Sequence, residues 1–485
     1  MDASSSIISL PSLNELNFQG CNEGVLKSLV NLTSLTNLVI EDVAELTCLN
    51  HGFTSSLIKL EKLEMKSCEN LMYLWQDKDV IRNLASLKSL VVNSCPEFIS
   101  FIAGEGDIEL PSNLENLNLQ DCINLEKLPS KMHTLSSLRD LTVNSCPKLV
   151  YFPETGAPVS ITSLKIHDCK NLLYLPRGLI VHRDEHHSTG NNNNFSDMKS
   201  CLQELEIHKC DSLPVSLFSD GRFLSATLKK LDIRSCKGVE SLAEKFIDDL
   251  RSLQEIKIED CENLRSLPKT LHTLSQLTCL ELWKCPALEL ECFPPLPPSI
   301  SSVCLEECPK IKSLPNHLYR LLYLRYLTII RCESIMCFPD GGLPPQLQTL
   351  NLIGCENMKQ PVREWLTPLT SLQDLDIYGS VGGVGEEEDL VLPLPSSLLH
   401  LYIEDMKKVE RLSSNCLPPS LRSLYISNCP KLRELPQDGL PPSLEWLWIK
   451  GCGRVEERCK KGTGCYWPLI RQIPRVELSG DDSIT

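Results

Sequence analysis

Apolar residues in this chain fall on one recurring frame. The stretch Leu114–Pro129, LENLNLQDCINLEKLP, displays it: Leu114, Leu117 and Leu119, then Cys122, Leu125, Leu128 and Pro129. Reduced to its fixed positions it reads LxxLxLxxCxxLxxLP. Copies begin at Leu13, Leu35, Leu60, Leu87, Leu114, Leu138, Ile161, Leu202, Leu228, Leu253, Leu277, Ile300, Leu324, Leu347, Leu372, Leu398, Leu421 and Leu444, which makes eighteen repeats. The steps are 22 to 27 residues, except one of 41 between Ile161 and Leu202. The fourth position is Leu in sixteen repeats and Ile256 or Val303 in the others, and the sixth is apolar in all eighteen.

Alternation over positions four to six makes a short strand with one buried face. A single strand cannot bury that face alone, so neighbours must stack and pass stability along the array. A period in the twenties on this frame is the signature of a leucine-rich-repeat solenoid. The expected fold class is therefore an α/β solenoid. It is a leucine-rich-repeat horseshoe or superhelix with a concave parallel β-sheet of about 18 short strands and a mostly irregular or short-helical convex side. Positions two, three, five, seven and eight then face outward on the sheet.

The ninth position is Cys in fifteen repeats, with Val43, Ser380 and Met406 in the other three. A small buried residue with a weak S–H donor suits the point where the chain leaves the strand. Metal sites need clustered ligands such as C-x2-C pairs, whereas these cysteines come one per turn. They are expected to form a buried structural ladder. After the cysteine many repeats carry Leu-Pro or Phe-Pro, as at Leu128-Pro129, Phe338-Pro339 and Leu435-Pro436. Proline fixes φ and removes a donor, so the return side should be extended. Pro339–Pro345 and Pro436–Pro442 are too short and broken for a helix; Ala243–Arg251 is long enough for one or two helical turns.

The frame divides the chain. Residues 1–12 are a lead-in, too short to cap the apolar end of a solenoid, so the chain is expected to lack its N-terminal neighbour. Residues 13–453 are repeats. They are interrupted by an insertion loop, 177–201, and by an acidic loop, 379–392, which reads as a loop or joint. The insertion contains HRDEHHSTGNNNNF, in which His182, Asp184, Glu185, His186 and His187 form a solvated tract rather than a metal site. A C-terminal cap, 454–478, and a disordered tail, 479–485, complete the division.

A net charge of −15 argues against nucleic acid as main partner, since phosphate binding needs a basic surface. The 24 cysteines, an N-terminus without a basic secretory n-region, and the lack of any apolar run near 18 residues point to a reducing compartment and no membrane span. The expected location is the cytoplasm or nucleocytoplasm. The chain carries no G-x4-G-K-[ST], G-x-S-x-G, H-E-x-x-H or paired C-x2-C motif. No nucleophile stands with a base at a defensible spacing, so neither an enzyme nor a cofactor is expected.

The outward positions carry the candidate site. The first ten repeats hold no aromatic residue there. From the eleventh onward come Trp283, Tyr326, Tyr378, Tyr402, Tyr425, Trp446 and Trp448, together with Ile330 and Ile353 near Arg325 and Arg331. Tyr402, Tyr425 and Trp448 share the fifth position of consecutive repeats and should stack as a row. Exposed aromatics and arginines on a sheet are what protein interfaces are rich in, and these residues are the expected protein-binding face. A self-satisfied aromatic ladder is the competing reading.

The frame, with returns such as Phe338–Pro345, FPDGGLPP, resembles the repeat domain of plant intracellular disease-resistance receptors of the coiled-coil, nucleotide-binding, leucine-rich-repeat type. The end is similar too: Cys459–Trp467, CKKGTGCYW, then Pro468, Ile470, Ile473-Pro474 and Val476. What the resemblance implies is a module of plant innate immunity that senses pathogen effectors or guarded host proteins. It also implies restraint of the receptor's nucleotide-binding domain, whose motifs match no position here. The alternatives are the substrate-recognition repeats of a ubiquitin-ligase adaptor, which would need an F-box ahead of Leu13, and a non-functional receptor fragment.

Overall fold

A computed structural model describes residues 8–76, 81, 83–104, 109–176, 179–182, 200–213, 222–224, 226–242, 244, 250–384, 386–413, 416–436 and 439–479. It divides into two bodies, Met1–Leu253 and Gln254–Thr485. Each is a parallel β-solenoid. All eighteen expected strands are present, and each begins two residues after the first position of its repeat, as in Asn116–Gln120, Glu255–Glu259 and Trp446–Lys450. The first body holds nine of them and the second nine, plus a further strand, Arg475–Leu478, that pairs with Trp446–Lys450. Within each body neighbours pair in chain order and strict register, so that Leu117 meets Leu141 and Leu424 meets Leu447.

That register follows from the frame. Leu38, Leu63, Leu90 and Leu117 have no exposed surface, and the sixth-position residues beside them are equally buried. A slip of one residue would turn every leucine outward. Fourteen of the fifteen ladder cysteines are buried and free. Many of their thiols donate to two carbonyls, as Cys122 Sγ does to Gln120 O at 3.3 Å and to Val92 O of the preceding repeat at 3.6 Å. The same pair of bonds recurs at Cys169, Cys210 and Cys308. Burial pushes the Cys169 thiol up to about 12 and the Cys355 thiol up to about 11. Cys21 departs from the expectation of a buried ladder. It is exposed, because among the described residues no repeat packs over that side of the first one.

The eighth position carries a feature that the frame did not reveal. In all eighteen repeats it lies in the left-handed region, from Asp168 at φ 49° to Gly379 at φ 74°. Only Gly20, Gly354, Gly379 and Gly451 are glycine there; Asp, Ser and Asn fill most of the rest. The left-handed residue ends the strand and turns the next side chain, the cysteine, inward. Its own N–H donates to the next strand, as Ser145 N does to His167 O at 2.9 Å. Short polar side chains tolerate this conformation best after glycine.

The return side is mostly irregular. It carries 3-10 turns at Met132–Thr134, Lys269–Thr273 and Leu318–Arg320, and short α-helices at Glu23–Ser28, His51–Thr54, Val362–Leu366, Gly453–Cys459 and Trp467–Ile470. Asn22 and Asn50 cap the first two helices by accepting from Val25 N and Phe53 N. Pairs of short parallel strands also run there, for example Tyr73–Trp75 with Ser100–Ile102. In the acidic loop Asp389–Leu390 pairs with Arg411–Leu412. Most of the histidine-rich insertion, including Asp184, Glu185, His186 and His187, and most of Ala243–Arg251 lie outside the described residues. The backbone strand Ile180–His182 within the insertion pairs antiparallel with Arg222–Leu224. Among the described residues no helix is long and apolar enough to cross a membrane.

Candidate functional site

All eleven expected site residues belong to the second body, and its register sorts them into groups. The fifth positions of the last repeats align Asp376, Tyr402, Tyr425 and Trp448. Tyr402 and Tyr425 stack face to face, with ring centroids 4.3 Å apart and planes 2° from parallel. The stack does not continue as expected. Trp448 is tilted by 55° at 6.1 Å from Tyr425, and Trp446 stands at 6.1 Å and 40° on the same ring. The two indoles share the Tyr425 ring, so neither can lie flat along the row. Cations flank them: Lys450 Nζ lies 5.8 Å from the Trp448 ring and Arg475 Cζ 5.1 Å from that of Trp446. Among the described residues Trp446 Nε1 is buried and meets no acceptor.

The seventh positions form a second row. Ile330, Ile353 and Tyr378 lie side by side in consecutive strands, followed by Glu404. Trp283 is on the same row but is separated from Ile330 by Glu306, and its Nε1 donates to Cys304 Sγ at 3.2 Å. Tyr326 is among the most open side chains of the face, at 49% exposed. The two arginines already have partners within the chain. Arg331 Nη1 donates to Glu307 Oε1 at 2.7 Å, and Arg325 Nη1 to the Leu322 carbonyl at 2.8 Å. The structure thus brings together Tyr402, Tyr425, Trp446 and Trp448 as one cluster and Ile330, Ile353 and Tyr378 as one row.

Carboxylates on the outward face differ in how they are compensated, and cations are paired in both bodies, as Lys257 is with Glu281 at 3.3 Å in the second. In the first, Glu64 is gripped by Lys62 and Lys66 at 2.5 Å each. Glu206 takes Lys165 at 3.3 Å and Lys230 at 2.8 Å. Asp232 takes Arg234 through two bonds of 2.8 Å and His208 at 3.3 Å. Burial pushes Glu206 up, but Lys230 and Lys165 outweigh it and hold the carboxyl below its usual value. Asp232 is driven well below the usual range in the same way, by His208 and Arg234 against its burial. In the second body the half-buried Asp376 has no such partner among the described residues. Burial, reinforced by the Glu404 charge, pushes it up to about 6. Among the described residues, Asp374 accepts from the Thr349 hydroxyl at 3.2 Å and Glu404 from Asn428 Nδ2 at 3.1 Å, and neither takes a cation.

One group in the first body escaped the sequence reading. His167 and His208 stack with centroids 4.2 Å apart, and with Glu206 their donor atoms lie within 4.8 Å of one another. Burial, then the neighbouring His208, pushes His167 down to about 4. The imidazoles are metal-ligand types, yet three fixed cations, Lys165, Lys230 and Arg234, already surround the two carboxylates. A divalent ion would meet a net repulsion, and the group is a network of ion pairs in which the two carboxylates are already taken. The signal was there: both histidines occupy the seventh position of adjacent repeats, but the 41-residue step hides it from simple spacing.

No family model matches the chain. Among curated proteins it is 27% identical over 235 residues to disease resistance protein RPS4B of Arabidopsis thaliana, covering 43% of this chain and 19% of that protein. It is 27% identical over 291 residues to TMV resistance protein N of Nicotiana glutinosa, covering 55% of this chain and 23% of that protein. The matched stretches are therefore about a fifth of those relatives' length. Among solved structures, a leucine-rich-repeat protein of Leptospira interrogans aligns with TM-score 0.47 at 18% identity, over 85% of this chain and 88% of that one.

Proposed function

We propose that this leucine-rich-repeat chain, whose relatives are plant disease-resistance proteins, is the protein-recognition part of such a protein. It engages a pathogen effector or guarded host protein through the outward face of its second body, and it restrains the activation of the nucleotide-binding domain of the same receptor. The proposed location is cytoplasmic or nucleocytoplasmic, and the proposed role is binding without catalysis or a cofactor. A repeat solenoid offers one side chain per face position per turn, which suits recognition of extended protein surfaces.

The observation that carries this reading is the aromatic cluster of Tyr402, Tyr425, Trp446 and Trp448, continued by the row Ile330, Ile353 and Tyr378. Aromatic anchors of this kind dominate binding energy at protein interfaces, at about 2 kcal/mol or more on truncation. The proposed face comprises Trp283, Arg325, Tyr326, Ile330, Arg331, Ile353 and Tyr378 beside that cluster. The test is a receptor containing this chain, carrying Tyr402→Ala or Trp448→Ala. Loss of the defence response, or constitutive activity, is expected, while Asn118→Ala and Thr142→Ala in the first body respond normally. Normal signalling by the aromatic variants, with failure of the first-body controls, would move the recognition surface to the first body.

A further inference from the structure

We infer that the outward face between Tyr378 and Tyr425 is built to receive an arginine side chain of a protein partner, between the Asp374, Asp376 and Glu404 carboxylates and the stacked tyrosines. The inference rests on the reading above and names the chemistry of what that face takes.

Three observations on one patch carry it. The first is missing compensation. Among the described residues no Lys, Arg or His lies within ion-pair distance of Asp374, Asp376 or Glu404, whereas Glu64, Glu206 and Asp232 on the face of the first body each hold at least one cation. The groups that face Asp376 from its own strand are Asp374 and Tyr378. From the adjoining strands they are Thr349, Asn351 and Ile353 on one side and His400, Tyr402 and Glu404 on the other. None of these is a fixed cation.

The second is the adjoining aromatic surface. Tyr402 is 38% exposed and lies flat on Tyr425. The register sets Tyr402 directly opposite Asp376 on the adjoining strand, and burial, then the nearby Tyr425, Asp374 and Asp376, push its hydroxyl up to about 12. The third is the form of the gap. Two aspartates on alternate positions of one strand share a face with a ring pair. A planar guanidinium can stack on a tyrosine ring while its N–H fork meets a carboxylate; a lysine ammonium offers a point charge without the plane. Charge complementarity alone would admit either cation, and the flat ring pair selects the guanidinium.

The probe is an array of capped nonapeptides of randomised sequence, screened against the full chain. Arginine should be enriched among binders at least threefold over lysine. The enrichment should fall to background with Asp376→Asn and Glu404→Gln, both isosteric and both expected to leave the fold intact by circular dichroism. Binders without enrichment of arginine, equal enrichment of lysine, or enrichment that survives both substitutions would each overturn the inference, as would the absence of any binder. If arginine is not enriched but the tyrosine and tryptophan variants still lose the defence response, the arginine assignment fails alone. If those variants also signal normally, the binding face itself is misplaced.

Discussion

Asp376→Asn should make the chain more stable at neutral pH. Asp376 sits half-buried with Asp374 and Glu404 nearby and makes no ion pair among the described residues, so its carboxyl titrates at about 6, well above the 3.8 of a free aspartate. An elevation of that size corresponds to about 3 kcal/mol at about 1.36 kcal/mol per pH unit; solvent reaches the side chain, and screening reduces this to about 1–2 kcal/mol. The folded state binds the proton more tightly than the unfolded state. The favourable contribution is therefore complete below about pH 4 and is lost as pH rises through 6. Wild type should weaken between about pH 4.5 and 7.5, and the asparagine variant, which has no proton to lose there, should not. Hydrogen exchange of the strand Asp374–Tyr378, compared between wild type and variant at the same pH, should show about five- to thirtyfold slower opening in the variant at about pH 7.5 and little difference at about pH 4.5. Equal protection at the higher pH, or a variant weaker at both, would refute the account of an uncompensated charge.

Three other perturbations separate structural from recognition roles. Tyr425→Ala removes a ring packed against Tyr402, Trp446 and Trp448 and should cost about 2–4 kcal/mol, whereas Tyr402→Ala loses one stack and should cost about 1 kcal/mol; chemical denaturation followed by tryptophan fluorescence measures both. Asp232→Ala should cost about 2–4 kcal/mol by stranding Arg234 and His208. Because the folded Asp232 carboxyl titrates below its usual value, its contribution in wild type should hold above about pH 4 and fade as the medium becomes more acid, which a pH series of unfolding midpoints checks. A thiol reagent should label Cys21, Cys201, Cys292, Cys337 and Cys465 promptly, since these are the exposed cysteines, and should reach Cys122, Cys169 or Cys308 only on unfolding; rapid labelling of those three would mean the ladder opens in the native protein.

The strands and their register were legible because burial enforces them. Aliphatic residues at positions one and four and an apolar residue at position six must meet their counterparts in the next repeat, and a single sequence shows that eighteen times over. The outward identity of Tyr402, Tyr425 and Trp448 followed from the same parity. The rest depended on side-chain geometry that parity does not carry. It gives no hint that Trp446 shares the Tyr425 ring with Trp448 and so tilts the row. Nor does it show that Arg325 and Arg331 are already engaged by the Leu322 carbonyl and Glu307. The His167–His208 stack lies on the frame but spans the insertion. The left-handed eighth position was visible only as a surplus of Gly, Asp, Ser and Asn before the cysteine, a composition that reads equally well as a solvent-exposed turn.

That eighth residue has a consequence for how such a protein can change. It concentrates the backbone demand of each repeat at one place, where β-branched side chains are disfavoured; none of the eighteen is Val, Ile or Thr. Positions one, four, six and nine accept only what the core accepts. Positions three, five and seven carry no duty to the backbone and, outside networks such as those of Asp232 and Tyr425, little of the stability of the fold. Mutation can rewrite them one at a time, and each new side chain appears at an address already fixed by its neighbours. The chain thus keeps two vocabularies apart, a small one that spells the scaffold and a free one in which specificity can drift without misspelling the fold.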